Sequence, residues 1–177
     1  PDPRVTGEID CWRLHAELPR ATLTLKLSGP APARYLITVS ARPQVLPETE
    51  TPTAIAEPAA GIPALSQLEA DPAIARRICS PTSLAMLIGG LRARSSQRSR
   101  EAELTEWQSI VTECRDAATG LYGVWPLAIG AAARRGFPGA VEIFGSWEEP
   151  LSVLAQGLPF VASIRFRRDP LPGAPLA

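Results

Sequence analysis

The sequence predicts an α+β protein in which a small antiparallel β module precedes a larger domain of helices and strands. Two changes of pattern along the chain lead to this prediction. Apolar and polar residues alternate in the first forty residues, whereas after residue 61 apolar residues recur at helical spacing and strand patterns return only late. Between these parts, proline-rich residues 43–60 lack a periodic apolar pattern, which is typical of a linker. We therefore expect a partial β-rich accessory module at 1–42, a linker at 43–60 and a second domain at 61–177.

Three alternating segments make up the predicted β module. Leu23 and Leu25 stand between polar neighbours, and Ile37 and Val39 repeat this pattern further along. The predicted strands cover residues 8–17, 22–27 and 35–40, and a turn at 29–33 joins the last two.

The second domain is predicted to start with helices. Ser80 is a good N-cap and Pro81 suits the first helical position, so we expect a helix to begin there. Gly89 and Gly90 are expected to weaken or end it. The next predicted helix has Leu104, Trp107, Val111 and Cys114 on one face, and a further helix at 126–135 is closed by Gly136. A strand is predicted at 140–144 and another at 159–166. Between these strands we expect a helix at 147–156 that starts with a Ser146/Glu149 capping box, ends at Gly157 and turns Trp147, Leu151 and Leu154 inward.

Composition excludes several classes of protein. The 177 residues are 45% hydrophobic, which is enough for a core and excludes global disorder. Eighteen basic and eighteen acidic residues leave no net field to gather phosphates, so we expect no nucleic-acid partner. The longest apolar run, residues 84–88, is far shorter than the roughly 18 residues of a membrane span, so we expect no direct membrane insertion.

Three cysteines and one histidine limit the chemistry. Cys11, Cys79 and Cys114 are too scattered for a disulfide framework or a zinc site, so we expect no metal and no cofactor. Cys114 falls on the apolar face of a predicted helix, which indicates a structural role. His15 lies in a predicted strand of the β module and is interpreted as a surface or edge-strand side chain.

Cys79 is the candidate nucleophile. It immediately precedes a predicted helix start, where backbone dipoles favour a thiolate, and Arg76 and Arg77 lie nearby in sequence. The alternative is a buried, inert cysteine that packs in the core. For Gln67, the alternative to a catalytic role is a loop amide that hydrogen-bonds the backbone.

The segment around Cys79 resembles a peptidase motif. Gln67 is followed after eleven residues by Cys-Ser-Pro-Thr-Ser-Leu-Ala-Met, residues 79–86. This resembles the bacteriocin-processing, double-glycine-leader cysteine peptidases, which belong to the papain-like group and carry Cys-Gly-Pro-(Thr/Ala)-Ser-Leu-Ala-Met after a glutamine. The resemblance implies a papain-like fold, peptide or protein substrates, Cys79 as nucleophile and Gln67 in the oxyanion hole. Ser80 departs from the family's glycine, which puts the close approach of substrate in doubt.

The resemblance also concerns residues that the sequence lacks. In the resembling family a histidine follows the strand that matches residues 159–166, but the sequence reaches Ala177 without one, and His15 matches no family position. We therefore expect a domain that is incomplete at its C-terminal end and nearly inactive by itself. The alternative is a non-catalytic relative that binds peptides or cell-envelope components. Because the family is often bacterial and exported or membrane-associated, the resemblance implies such a localisation.

Overall fold

The computed structural model describes residues 3–7, 11–26, 28–30, 37–41, 61–93 and 99–163. Its elements combine helices with one small antiparallel sheet, which is compatible with the predicted α+β class. In chain order they are β1 (Val5–Gly7), β2 (Trp12–Leu14), two short 3-10 helices (Gln67–Glu69 and Ala75–Arg77), α1 (Cys79–Ala93), α2 (Arg100–Glu113), α3 (Trp125–Arg134) and α4 (Glu148–Ala155). The predicted linker at 43–60, most of the turn at 29–33 and the strand positions Leu27, Tyr35 and Leu36 lie outside the described residues.

The described part of the β module contains one pair of strands. β1 and β2 pair in antiparallel fashion, with Val5 opposite Leu14. Of the predicted strand at 8–17, residues 12–14 are a strand, residues 11 and 15–17 are not, and residues 8–10 lie outside the described part. The described parts of the other two predicted strands, residues 22–26 and 37–40, are not strands, and this part of the prediction is wrong. Their apolar side chains are more than half exposed, because the described residues offer no second layer to cover them.

Three helices enclose the main core. α1, α2 and α3 pack against one another, and residues before α1 close the core from one side. The most completely buried of its side chains are Ile78, Ile88, Ile110, Cys114 and Ala131. Burial of Cys114 on the inner side of α2 confirms its predicted structural position.

Helix α1 differs from the prediction at both ends. It begins at Cys79, so Ser80 lies inside the first turn and is not the N-cap. Pro81 is tolerated there because first-turn N–H groups have no intrahelical acceptor. Gly89 and Gly90 do not end the helix, which continues to Ala93.

The two glycines of α1 allow another segment to approach the helix closely. A Cβ atom on Gly89 would lie 2.5 Å from Pro63 Cγ, and one on Gly90 would lie 2.9 Å from Ile62 Cγ1. Both distances are shorter than a van der Waals contact. The glycines therefore serve packing between α1 and the segment that leads to Gln67, a role that local helix propensity does not reveal.

Helix α2 forms where the apolar spacing placed it, and α3 confirms its predicted position and end. Ser99 caps α2 by accepting a hydrogen bond from Ala102 N at 3.3 Å. Gly136, which follows α3, has a φ of +86°, a conformation that favours glycine and ends the helix as expected.

The last part of the described chain departs further from the prediction. Residues 140–144 and 159–163 are not strands, and residues 164–166 lie outside the described part. The predicted capping box is absent: Trp147 occupies the N-cap of α4 without a side-chain cap, and Glu149 accepts from Gly145 N at 2.6 Å. Trp147 is 53% exposed and Leu154 is also exposed, so their predicted inward orientation is wrong. No strand among residues 99–163 is available to cover them.

Gly157 ends α4 with a φ of +75°, as predicted. None of the helices in the described ranges is both long and apolar enough to cross a membrane.

Candidate active site

Cys79 lies at the surface end of α1. It is the first residue of the helix and its side chain is exposed, whereas the preceding Ile78 is fully buried. Thr82 N donates to Ile78 O at 3.0 Å and begins the helical hydrogen bonds. The backbone N–H groups of this first turn have no intrahelical acceptor. The alternative that Cys79 is a buried core cysteine is wrong.

Gln67 lies at the start of the first 3-10 helix. Ser66 caps this helix by accepting from Leu68 N at 3.3 Å. The Nε2 atom of Gln67 is buried and has no hydrogen-bond partner within the described part of the chain. An unbonded buried donor costs about 1 to 3 kcal/mol, so the side chain carries a hydrogen-bonding capacity that the described fold does not use.

The segment between the two candidate residues is folded into tight turns. Asp71 organises it, because its carbonyl oxygen accepts from Ile74 N and Ala75 N, both at 2.9 Å, and its carboxylate accepts from Ala73 N at 2.8 Å. The two 3-10 helices pack against each other, and only Ile78 separates the second from α1. The structure thus holds Gln67 and Cys79 at the two ends of one compact segment.

Arg77 joins this segment to the loop that follows α2. Its Nη2 donates to Gly120 O at 3.0 Å, and its guanidinium lies 5.8 Å from the centre of the buried Tyr122 ring. Arg77 was singled out from the sequence as a cationic neighbour of Cys79. In the structure its contacts are with this loop, so Arg77 holds the loop against the segment that precedes α1.

His15 and Cys114 lie in surroundings that fit the structural, non-catalytic interpretation of each residue. His15 Nε2 is 2.7 Å from Thr6 Oγ1 in the β hairpin. Cys114 is fully buried, and this burial raises the pKa of its thiol to about 11, so the thiolate is scarce at neutral pH. Neither residue is placed as a partner of Cys79.

A comparison with protein-family models matches residues 60–174, well over half of the chain, to the Peptidase C39 like family. The chain belongs to the peptidase C39-like family. No curated protein and no solved structure gives a significant match. Membership supports a cysteine-peptidase-like domain and a peptide as the class of substrate, and the matched range includes both Gln67 and Cys79.

The peptidase C39-like domain contains a buried polar contact that sequence reasoning missed. Trp107 Nε1 of α2 donates to Thr82 Oγ1 at 3.0 Å, and both side chains are buried. Thr82 belongs to the first turn of α1, three residues after Cys79. The contact therefore fixes the turn that carries the candidate nucleophile. Helical spacing placed Trp107 in the core, but it could not show which polar group its indole would meet.

A cluster of charged side chains that sequence reasoning also missed connects the three core helices. Glu113 of α2 accepts from Arg135 Nη2 at 2.6 Å and from Arg134 Nη2 at 2.7 Å. Glu106 pairs with both Arg135 and Arg92 of α1. Hydrogen bonds from Arg135, and with them those from Arg134 and Ser109, lower the pKa of Glu113 to about 2. The sequence offered one sign of this cluster, because Glu106 and Glu113 are seven residues, or about two helical turns, apart.

Within the described ranges, no three His, Cys, Asp or Glu side chains lie close enough together to hold a metal ion.

Proposed function

We propose that this peptidase C39-like domain is a cysteine peptidase with a papain-like fold, in which Cys79 is the nucleophile and Gln67 is an oxyanion donor. Residues 61–177 form the peptidase domain in this proposal, and residues 1–42 form the accessory β module. The observation that carries the proposal is the buried, unbonded Nε2 of Gln67, which shares a compact segment with the exposed thiol of Cys79. An unbonded N–H donor is one requirement of an oxyanion hole, and the other is that the donor lie about 2.7–3.1 Å from the oxyanion.

The proposed reaction begins when the Cys79 thiolate attacks the carbonyl carbon of a peptide bond. The carbonyl oxygen becomes an oxyanion, which accepts hydrogen bonds from Gln67 Nε2 and from the backbone N–H of Cys79. Collapse of this intermediate breaks the C–N bond, the amine leaves with a proton from a general acid, and a thioester on Cys79 remains. Water then hydrolyses the thioester. Loss of one oxyanion donor costs about 3 to 4 kcal/mol in such sites, or a hundred- to a thousandfold in rate.

The proposed general acid is a histidine of the family type, which would follow the segment that matches residues 159–166. His15 is the one histidine of the 177 residues and contacts Thr6 in the hairpin. Because nucleophile and base act as a unit, we expect these 177 residues alone to hydrolyse peptides close to the uncatalysed rate. The test of the site therefore uses a ligand that bonds to the thiol without turnover.

A peptide aldehyde is such a ligand. It forms a thiohemiacetal with a reactive cysteine, and the former aldehyde oxygen then occupies the position of the oxyanion. Mass spectrometry identifies the modified residue, and a titration gives the affinity. We expect modification of Cys79, no adduct with C79S, and at least a tenfold loss of affinity with Gln67→Ala.

Gln156→Ala is the matched control. Gln156 is exposed, its amide donates to Ser152 O at 3.2 Å within α4, and its removal should leave aldehyde affinity unchanged. Equal affinity of the wild type and Gln67→Ala would remove Gln67 from the oxyanion hole. Peptide binding that C79S leaves intact, with no adduct in the wild type, would instead support the non-catalytic binding protein.

A further inference from the structure

Arg100 connects the start of α2 to the segment that carries Gln67. It is the first residue of α2, and its Nη1 donates to the carbonyl oxygen of Ala64 at 2.9 Å. Its Nη2 lies 3.5 Å from Oε2 of Glu69. Ala64 is three residues before Gln67, and Glu69 is two residues after it, at the end of the same 3-10 helix. One guanidinium therefore contacts the backbone before Gln67 and a side chain after it.

The first position of α2 is unfavourable for an arginine as far as the helix itself is concerned. The positive end of a helix dipole lies at the N-terminus, where acidic side chains stabilise the helix and basic ones destabilise it. Glu101 and Glu103 of the first turn follow this rule, whereas Arg100 does not. Arg100 also pairs with Glu103 at 3.7 Å, but an exposed pair within one helix contributes little. The helix thus gives no reason for an arginine here, whereas the contacts with residues 64 and 69 use it.

The Nε2 atom of Gln67 depends on the backbone for its position. It is buried without a hydrogen-bond partner among the described residues, so no acceptor in that part of the chain holds this donor in place. The backbone before Gln67 is attached to α1, where residues 62–63 pack against the two glycines of that helix. Arg100 adds an attachment to α2 on each side of Gln67. These attachments set the direction in which the Gln67 side chain leaves the backbone.

We propose that Arg100 is a positioning residue for Gln67, which keeps Nε2 directed at the oxyanion by holding the segment on both sides. This inference rests on the proposed function, because it requires Gln67 to be an oxyanion donor. Arg100 acts only through the segment at 64–69 and does not touch the substrate. Because an oxyanion donor must lie about 2.7–3.1 Å from the oxyanion, a small displacement of this segment weakens the hydrogen bond.

A double-mutant cycle on the whole 177-residue chain tests the proposal. Its variants are Arg100→Met, which keeps the aliphatic part of the side chain, Gln67→Ala, and the two combined. The readout is the affinity for acetyl-glycyl-glycinal, a peptide aldehyde that forms a thiohemiacetal with Cys79. We expect Arg100→Met to weaken binding about three- to tenfold when Gln67 is present. In the Gln67→Ala background the loss should be less than about twofold, because an absent donor cannot be misplaced.

A second reagent separates positioning from a general effect on the site. Iodoacetamide alkylates a thiol without forming an oxyanion, so its rate at Cys79 should be the same in Arg100→Met as in the wild type. A variant that merely loosened the fold around Cys79 would change both measurements. Thermal unfolding of each variant shows that the protein remains folded.

Arg134→Met is the matched control. Arg134 is an arginine of similar exposure at the end of α3, and its Nε and Nη2 donate to Glu113 at 2.9 and 2.7 Å. Its loss should leave aldehyde affinity unchanged, even where it lowers stability. Glu69→Gln removes the charge from one of the two contacts of Arg100 and should weaken aldehyde binding about two- to threefold, again only when Gln67 is present. It takes the place of Arg100→Met in the cycle if that variant does not fold.

The outcomes separate this inference from the proposed function. If the folded wild type forms no adduct at Cys79, or if Gln67→Ala binds the aldehyde as well as the wild type does, the proposed function fails in its nucleophile or in its oxyanion donor, and the inference fails with it. If Gln67→Ala weakens binding and Arg100→Met does not, Gln67 stands and the role of Arg100 is rejected. Equal losses from Arg100→Met in both backgrounds also reject it, since Arg100 would then act independently of Gln67.

Discussion

Gln67→Met tests whether the buried amide of this side chain is held for catalysis or for folding. Methionine is unbranched and close to glutamine in length, so the substitution removes the amide while it largely preserves packing. In the structure, Gln67 Nε2 is buried without a partner among the described residues. The substitution therefore removes an unsatisfied donor, and we expect the folded state to become more stable.

The expected gain can be worked from the burial of this atom. An unsatisfied buried polar group costs about 1 to 3 kcal/mol, and we take the lower end because Gln67 as a residue is only partly buried. For a chain of this size, about 1 kcal/mol raises Tm by roughly 2 to 4 °C. Differential scanning calorimetry measures this shift. Gln156→Met, at an exposed position at the end of α4, should change stability by less than about 0.5 kcal/mol.

Binding of the peptide aldehyde should change in the opposite direction. Gln67→Met retains no donor for the thiohemiacetal oxygen, so it should lose affinity as Gln67→Ala does. A gain in stability together with a loss of binding is the pattern of a residue kept for function at the expense of the fold. A fall in Tm of several degrees would show that the amide is hydrogen-bonded in the folded protein, and the oxyanion assignment would then lose its main support.

Four further substitutions and measurements test the fold around this site. Gly89→Ala should destabilise the protein by about 1 to 3 kcal/mol in thermal unfolding, because its Cβ would meet Pro63 at 2.5 Å. Gly130→Ala, inside α3 and near only the flexible end of an arginine, should raise stability by up to about 1 kcal/mol. The folded-state pKa of Glu113 is about 2, against an ordinary value of 4.5. The stability that ionised Glu113 contributes is therefore fully present above pH 4.5 and is lost as pH falls towards 2. In urea unfolding, the Glu113→Gln variant should lose less stability than the wild type over that pH window. Iodoacetamide near neutral pH should alkylate Cys114 only after denaturant is added, because burial raises its pKa to about 11, and alkylation in the folded state would contradict its core position.

The helical part of the fold was predictable because its signals are local. The apolar spacing of α2 and the left-handed glycine after α3 depend on residues within one or two turns. Ser99 caps α2 through its own side chain, a similarly local interaction. These elements formed close to where periodicity placed them, and Cys114 became buried as its helical face indicated.

The errors concern elements whose form depends on distant residues. Gly89 and Gly90 are poor helix formers in isolation, yet they remain helical because Pro63 and Ile62 pack against the backbone there. The described residues 22–26 and 140–144, both predicted as strands, did not become strands, because a strand needs a partner at its edge and a local sequence pattern does not supply one. Trp147 illustrates the same limit, since its inward orientation required a neighbouring layer.

The candidate site was predictable only through the resemblance of residues 67–86 to a peptidase motif. Helix position alone favoured a buried, inert Cys79 over a reactive one. The structure adds the exposed thiol, the unbonded amide of Gln67 and the contact between Thr82 and Trp107. None of the three follows from spacing, because each depends on which groups tertiary folding brings together.

The first turn of α1 combines a backbone fixed in the core with the exposed thiol that we propose as the nucleophile. Ile78 and Thr82, on either side of Cys79, are buried, and Thr82 accepts the indole hydrogen bond of Trp107. Because these two neighbours are fixed in the core, the backbone N–H of Cys79 has a defined direction while its thiol remains in contact with solvent. A donor fixed in this way reorganises little when charge develops beside it, which is the condition for effective oxyanion stabilisation. In the proposed mechanism, the packing of α1 on α2 therefore supports the oxyanion position by fixing the backbone N–H of Cys79.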